Sequence, residues 1–232
     1  MSRRDEIAAN LARVRARIAD ACDRTGRDPA GVTLVAVTKT FPAEDVLHLA
    51  ALGVIDIGEN RDQEAAPKAQ AVAAAGGRVR WHFVGQLQRN KCRSVATYAD
   101  VVHSVDSVRL AQALQAAADR GDRPDGVPID VLVQVSLDGD PARGGALDQD
   151  LDRVLEAVAT AGSLRLGGVM AIAPLEAEPD RAFTTLAEIA ARVRARYPDA
   201  TAISAGMSGD LEAAIDHGAT HVRIGSALLG NR

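Results

Sequence analysis

Lys39 stands where the apolar run Val32-Thr33-Leu34-Val35-Ala36-Val37 gives way to the polar segment Thr38-Lys39-Thr40. An amine at the lip of a buried strand has two readings. Partial burial lowers a lysine's pKa until the free amine attacks a carbonyl as a Schiff-base nucleophile. Alternatively, the side chain simply ends a strand and extends its ammonium into water. Far along the chain, Thr220-His221-Val222-Arg223-Ile224-Gly225-Ser226 reads as a strand that closes on an arginine and a Gly-Ser turn, a combination suited to an anion. Just before it, Ala202-Ile203-Ser204-Ala205-Gly206-Met207-Ser208-Gly209-Asp210-Leu211 runs from a short strand through small residues into a helix start. Backbone N–H groups there lack intrahelical acceptors, and phosphate fits them. Such Gly/Ser-rich turns also occur as plain connectors.

These residues need a scaffold, and the chain is long enough to supply one. Its 232 residues, 47% hydrophobic with a formal charge of −4, are expected to bury one large core as a single domain spanning 1–232. The mildly acidic, mixed charge gives no nucleic-acid footprint. The segment from Met1 to Arg24 is dense in Arg, Asp and Glu, which excludes a signal peptide or membrane span there and sets a cytoplasmic expectation. Cys22 and Cys92 have no metal-ligand partner at short spacing and are expected to be reduced.

Short β-branched runs alternate with longer Ala/Leu/Arg/Glu segments, the mark of parallel βα units. The expected strands are Thr33 to Thr38, Val54 to Gly58, Val79 to Val84, Val101 to Val105, Asp130 to Ser136, Leu166 to Ile172, Ala202 to Ser204 and His221 to Ile224, with helical periodicity between them, as in Asp180 to Tyr197. Eight strands with helical returns predict an α/β fold, a closed (β/α)8 TIM barrel. An extra amphipathic N-terminal helix within 1–25, with Ile7, Leu11, Val14 and Ile18 on one face, is expected to pack on the outside or bottom.

In such a barrel the active site lies at the C-terminal rim, with phosphate commonly held after strands seven and eight. Lys39, Glu59-Asn60, His82 with Gly85, Ser208 and Arg223 to Ser226 then fall at strand ends, and closure sets strand one beside strand eight. Asp56 and Glu59 read as polar rim residues that orient neighbours rather than as an acid/base pair. His82 has a competing reading as a core histidine satisfied by hydrogen bonds. Trp81 alternates with it and should face the helices. The basic stretch Gln88-Arg89-Asn90-Lys91 adds charge beside a phosphate or is only a solvated helix start, and a second ligand site involving Lys91 is left open.

The segments Leu34-Val35-Ala36-Val37-Thr38-Lys39, Ile57-Gly58-Glu59-Asn60, Trp81-His82-Phe83-Val84-Gly85-Gln86-Leu87-Gln88-Arg89-Asn90-Lys91, Gly206-Met207-Ser208-Gly209-Asp210 and Val222-Arg223-Ile224-Gly225-Ser226 together resemble the pyridoxal phosphate homeostasis protein family, relatives of the alanine racemase barrel. The resemblance covers nearly the whole chain, and the Trp-His-Phe block is highly specific. The chain departs from the family at Ala205, where Met is usual, and in Asp138-Gly139-Asp140-Pro141-Ala142-Arg143-Gly144, where a Glu/Ser/Lys-rich turn is usual.

The resemblance implies a type III fold for pyridoxal 5′-phosphate (PLP), with the cofactor held as a Schiff base on Lys39. Ser208, Gly225 and Ser226 would hold its phosphate, Arg223 would face the pyridine nitrogen, and Asn60 and His82 would line the ring. It also implies a monomer that buffers PLP or delivers it to apo PLP-dependent enzymes, without catalytic turnover. The competing reading is a PLP enzyme of amino-acid racemase type. Related racemases take a second base, a tyrosine, from an additional C-terminal domain, whereas Tyr98 and Tyr197 fall in or at the end of helical segments, away from the strand ends, and Arg232 closely follows the last strand. A phosphosugar-processing barrel with a Schiff-base lysine accounts for the phosphate site but not for Arg223.

Overall fold

The computed structural model describes residues 2–120, 127–140, 143–174 and 177–230, so Pro141 and Ala142 of the divergent loop lie outside the described residues. The predicted barrel forms. Strands β1 (Thr33–Val37), β2 (Asp56–Glu59), β3 (Arg80–Phe83), β4 (Val101–Val105), β5 (Ile129–Gln134), β6 (Leu164–Met170), β7 (Ala202–Ser204) and β8 (His221–Ile224) pair in sequence order, all parallel. The sheet closes through β1 and β8, with Val35 opposite Arg223 and Ala36 opposite Ile224.

The bounds of β1, β2, β3, β5 and β6 differ from expectation by one or two residues, and β2 and β6 show why. β2 begins at Asp56 rather than Val54, because Val54 donates its N–H to Leu49 O and so finishes the preceding helix. β6 is displaced to Leu164–Met170, since its pairing with β5 starts at Ile129 opposite Leu164.

Helices α1 (Arg3–Thr25), α2 (Ala43–Ala51), α3 (Asp62–Ala74), α4 (Cys92–Tyr98), α5 (Val108–Ala118), α6 (Asp148–Ala159), α7 (Pro179–Arg196), α8 (Leu211–Asp216) and α9 (Ser226–Leu229) accompany the strands. The main apolar core lies between sheet and helices. One cluster joins Ile129, Val131 and Val133 of β5 to Leu155 of α6 and Leu186 of α7. The other joins Ile57, Val222 and Ile224 to Ile7, Leu11, Val14 and Ile18 of α1, the face expected from its spacing. Ser2 and Asp5 form a capping box at the start of α1, and Gly26 closes its C-terminus in the left-handed conformation. Trp81 faces this outer layer and meets Tyr98 edge to face at 6.5 Å. Cys22 and Cys92 are buried free thiols. No helix among the described residues is long and apolar enough to cross a membrane.

The barrel interior is more polar. A small apolar group, Val101, Leu132 and Met170, shares it with His82, His103, Ser204 and Arg223, all buried. Burial holds His103 neutral, its pKa well below the ordinary 6.5, with the neighbouring His82 ring and the Arg223 guanidinium adding to the effect. Burial likewise lowers His221 to about 4.

The chain around Lys39 is pegged from α3. Glu59 faces outward, is 1% exposed, and accepts from Thr38 Oγ1 and Lys68 Nζ, each at 2.5 Å. Lys68 also donates to Thr38 O at 2.8 Å. Burial pushes the Glu59 carboxyl up, against the hydrogen bonds from Lys68 and Thr38. On the other side of Lys39, Thr40 has φ of 67°, the single non-glycine positive φ among the described residues, and its N–H donates to Glu64 Oε2 at 3.1 Å. A β-branched residue in that region is strained by about 1–3 kcal/mol, so the surrounding bonds must impose it. Glu64 and Lys68, one helical turn apart, thus hold the backbone on both sides of Lys39.

Two outcomes follow from these buried groups. Lys68→Met leaves Glu59 without its cation and is expected to cost about 3 kcal/mol in urea denaturation; a loss below about 0.5 kcal/mol would contradict the peg. The second concerns acid. The unfolded chain protonates His103 and His221 near 6.5, whereas the fold keeps both neutral until well below that. Their contribution to stability is therefore complete above about pH 6.5 and is lost as pH falls towards about 4. The urea midpoint should be lower at about pH 4.5 than at about pH 7.5, and a rise on acidification would contradict this.

Candidate functional site

A cavity of about 860 Å³ opens at the C-terminal ends of the strands. Lys39, two residues past β1, lines it together with Asn60 after β2, Gly85 after β3, Ser208 after β7, Arg223 within β8, and Gly225 and Ser226 after β8. Closure of β1 on β8 brings Lys39 and Arg223 to one mouth although they lie far apart in sequence. Lys39 is exposed rather than partly buried, so its amine extends from the rim over the cavity.

The far wall of the mouth is an oxygen and N–H cradle. Ser226 Oγ donates to Ser208 Oγ at 3.3 Å, and the Ala227 N–H in the first turn of α9 donates to the same oxygen at 3.3 Å. Gly206 turns the chain there with φ of 87°, and an added Cβ would lie 2.7 Å from Ala214 Cβ, so no side chain fits. Asp210 Oδ1 accepts from Met207 N–H at 2.6 Å and tightens the turn. From outside the barrel, Arg17 of α1 donates to Ser208 O at 3.0 Å while its Nε and Nη2 grip Glu212 at 2.5 and 2.8 Å. Asn10 and Arg3 reach Leu228 O and Leu229 O at 2.8 and 2.9 Å. The N-terminal helix therefore braces both turns of the cradle.

Arg223 is 5% exposed, and no carboxylate among the described residues lies within ion-pair distance of it. It donates through Nη1 to Ser204 Oγ at 2.7 Å and through Nη2 to Ala171 O at 3.0 Å. Burial lowers its pKa to about 10, with Asp210 acting the other way, so it remains a cation at neutral pH. A guanidinium has five N–H donors, and those not engaged in these two bonds are available to a ligand. Asn60 Oδ1 is likewise a buried acceptor without a partner among the described residues. Gly85 permits the close approach of β3 to β2 at this point, since a Cβ would stand 2.1 Å from Asn60 O.

Two sequence expectations are corrected. His82 does not line the mouth. It lies inside the barrel below the rim, with Nε2 2.8 Å from Asp56 Oδ1 and Nδ1 2.9 Å from His103 Nε2, the hydrogen-bonded core alternative. Asp56 and Glu59 are not a rim pair. They occupy opposite ends of β2, and Asp56 sits at the closed end opposite Arg80. Lys91 also turns from the mouth, with Nζ 3.8 Å from Asp62 Oδ2.

Sequence reasoning missed Gln134 and placed Arg143 only within a divergent loop. Both line the mouth: Gln134 Nε2 donates to Arg143 O at 3.1 Å, and Arg143 donates to Ile172 O at 2.7 Å and pairs with Asp138 at 3.1 Å. An amide at the inward-facing end of β5 was the available signal.

A primary amine, an un-neutralised cation, an orphaned acceptor and a hydroxyl and N–H cradle can together bind an aldehyde that carries a basic ring nitrogen and a phosphate. Comparisons with known proteins agree with that chemistry. A family model described as alanine racemase, N-terminal domain, matches residues 4–232. A pyridoxal phosphate homeostasis protein of Mycobacterium tuberculosis is 44% identical over 243 aligned residues, covering 99% of this chain and 94% of that protein. The protein of the same name from Escherichia coli is 40% identical over 235 residues, covering 98% of this chain and 97% of its own. Among solved structures, PipY of Synechococcus elongatus, determined with PLP bound, matches with a TM-score of 0.83 at 32% identity, covering 97% of this chain and all of that one. The chain belongs to the alanine racemase N-terminal domain family and, within it, to the pyridoxal phosphate homeostasis proteins.

Proposed function

We propose that this protein binds PLP in the barrel mouth as a Schiff base on Lys39, and buffers the cofactor or delivers it to apo-enzymes that need it. The observation that carries this reading is the convergence on one cavity of the Lys39 amine, the Arg223 guanidinium and the Ser208 and Ser226 hydroxyls. Ser208, Gly225 and Ser226 hold the phosphate, Arg223 faces the ring nitrogen, and Asn60 offers its free oxygen to the ring's polar edge. His82 is not assigned a contact with the cofactor, because it lies below the mouth.

An arginine at the ring nitrogen also bears on turnover. A guanidinium only donates, so the nitrogen opposite it carries no proton of its own and the ring withdraws electrons weakly. Racemisation further needs a base on each face of the cofactor. Tyr98 is packed against Trp81 in the outer layer and Tyr197 follows α7, and neither lines the mouth. Both features favour a carrier over an amino-acid racemase. In this reading the protein is a single-domain monomer of the cytoplasm, and the open mouth suits exchange.

Lys39→Ala separates the covalent from the non-covalent anchor. The variant should lose the Schiff-base absorption band yet still bind PLP, roughly a hundredfold more weakly, through the phosphate cradle. Complete loss of binding would contradict an independent cradle. Multiple-turnover racemisation of an amino acid by the PLP-loaded wild type would sink the carrier reading.

A further inference from the structure

A line of hydrogen bonds crosses the inside of the barrel from the mouth to its closed end. Arg223 Nη1 donates to Ser204 Oγ at 2.7 Å, and that oxygen lies 2.9 Å from His103 Nδ1. His103 Nε2 lies 2.9 Å from His82 Nδ1, and His82 Nε2 lies 2.8 Å from Asp56 Oδ1. The five residues come from β8, β7, β4, β3 and β2, and all but Asp56 are buried.

The ends of the line give it a direction, since a guanidinium only donates and a carboxylate only accepts. Asp56 qualifies as the accepting end. Its burial opposes ionisation, but the hydrogen bond from His82 and the nearby Arg80 guanidinium outweigh that and hold its carboxyl below the ordinary range. Ser204 accepts from Arg223 and has one hydrogen, which points to His103 Nδ1. Neutral His103 then carries its proton on Nε2 and donates to His82 Nδ1, and His82 donates from Nε2 to Asp56. Each of Ser204, His103 and His82 accepts once and donates once. A reversed line would put both Arg223 and His103 donors on Ser204 and leave its own hydrogen without an acceptor along the line. His221 stands beside the line, its ring centroid 6.3 Å from those of His82 and His103, and turns Nδ1 to Thr220 Oγ1 instead.

We infer that His103 is a positioning residue for Arg223, accepting the Ser204 hydroxyl hydrogen so that the serine's lone pairs face the guanidinium and its remaining N–H groups stay aimed at the mouth. His82 and Asp56 fix the tautomer of His103 from the closed end. The consequence for the cofactor rests on the reading that PLP occupies the mouth with its ring nitrogen at Arg223; the direction of the line does not.

Two measurements separate these layers. Nitrogen–proton NMR of the histidine rings in cofactor-free wild type at neutral pH should find His103 and His82 each protonated at Nε2 and bare at Nδ1. A His103 ring protonated at Nδ1 would overturn the inference. For the effect at the mouth, His103→Asn keeps an acceptor where Nδ1 stood, whereas His103→Phe fills the space without one. His103→Phe should weaken PLP binding about tenfold and move the absorption band of the bound cofactor, while His103→Asn stays within about threefold with its band unmoved. Equal behaviour of both variants, like or unlike wild type, would overturn the positioning role. Should His103→Phe not fold, Ser204→Ala must give the same weakening and band shift, and its absence counts against the inference. If wild type takes up no PLP at all, the cofactor reading fails, while the NMR result still judges the line.

Discussion

The pairing of β1 with β8 is the constraint on which the site depends. It sets Val35 opposite Arg223 and so brings the amine that follows β1 to the same mouth as the Arg223 guanidinium of β8 and the Ser226 hydroxyl that follows it. Neither group has a local reason to be there. α1 strengthens the same seam from outside, since its apolar face packs with β8 and its Arg3, Asn10 and Arg17 bond to the turns on either side of the hydroxyl and N–H cradle. A helix outside the barrel repeat thereby becomes part of what shapes the mouth.

The inside of this barrel also departs from the packed aliphatic layers that such folds usually carry. A guanidinium kept from water without a carboxylate is costly unless its N–H groups find oxygen. Ser204 and the Ala171 carbonyl supply part of that need, and two buried imidazoles carry the remaining hydrogen-bonding requirement down to Asp56. A fully connected polar line of this kind gives the core one arrangement rather than several. Arg223 itself lines the cavity. Similar reasoning covers Lys39, whose neighbours are fixed by Glu59, Lys68 and Glu64 while the amine itself stays at the rim.

The barrel was legible because strand and helix periodicities differ and alternate along the chain, and the rim residues Lys39, Asn60, Ser208 and Arg223 were legible because each falls at a strand's C-terminal end. Depth within the barrel was harder to read. His82 is in the C-terminal half of β3 by number, yet its inward-facing side chain joins a layer below the mouth. Asp56 and Glu59 illustrate a signal that was present: residues three apart in a strand point to opposite faces, so they could not form a pair. His103 carried a weaker one, a histidine within the β-branched run of β4. The pegs from Lys68 and Glu64 had no sequence signature, since their partners are set by how α3 lies against the ends of β1 and β2.

The most direct test of the central claim is peptide mass spectrometry of the wild-type protein incubated with PLP and reduced with borohydride, which fixes a Schiff base where it stands. The account predicts a single pyridoxyl adduct, on Lys39. An unmodified Lys39, or adducts scattered over surface lysines, would contradict it and leave a phosphate-binding barrel of other chemistry.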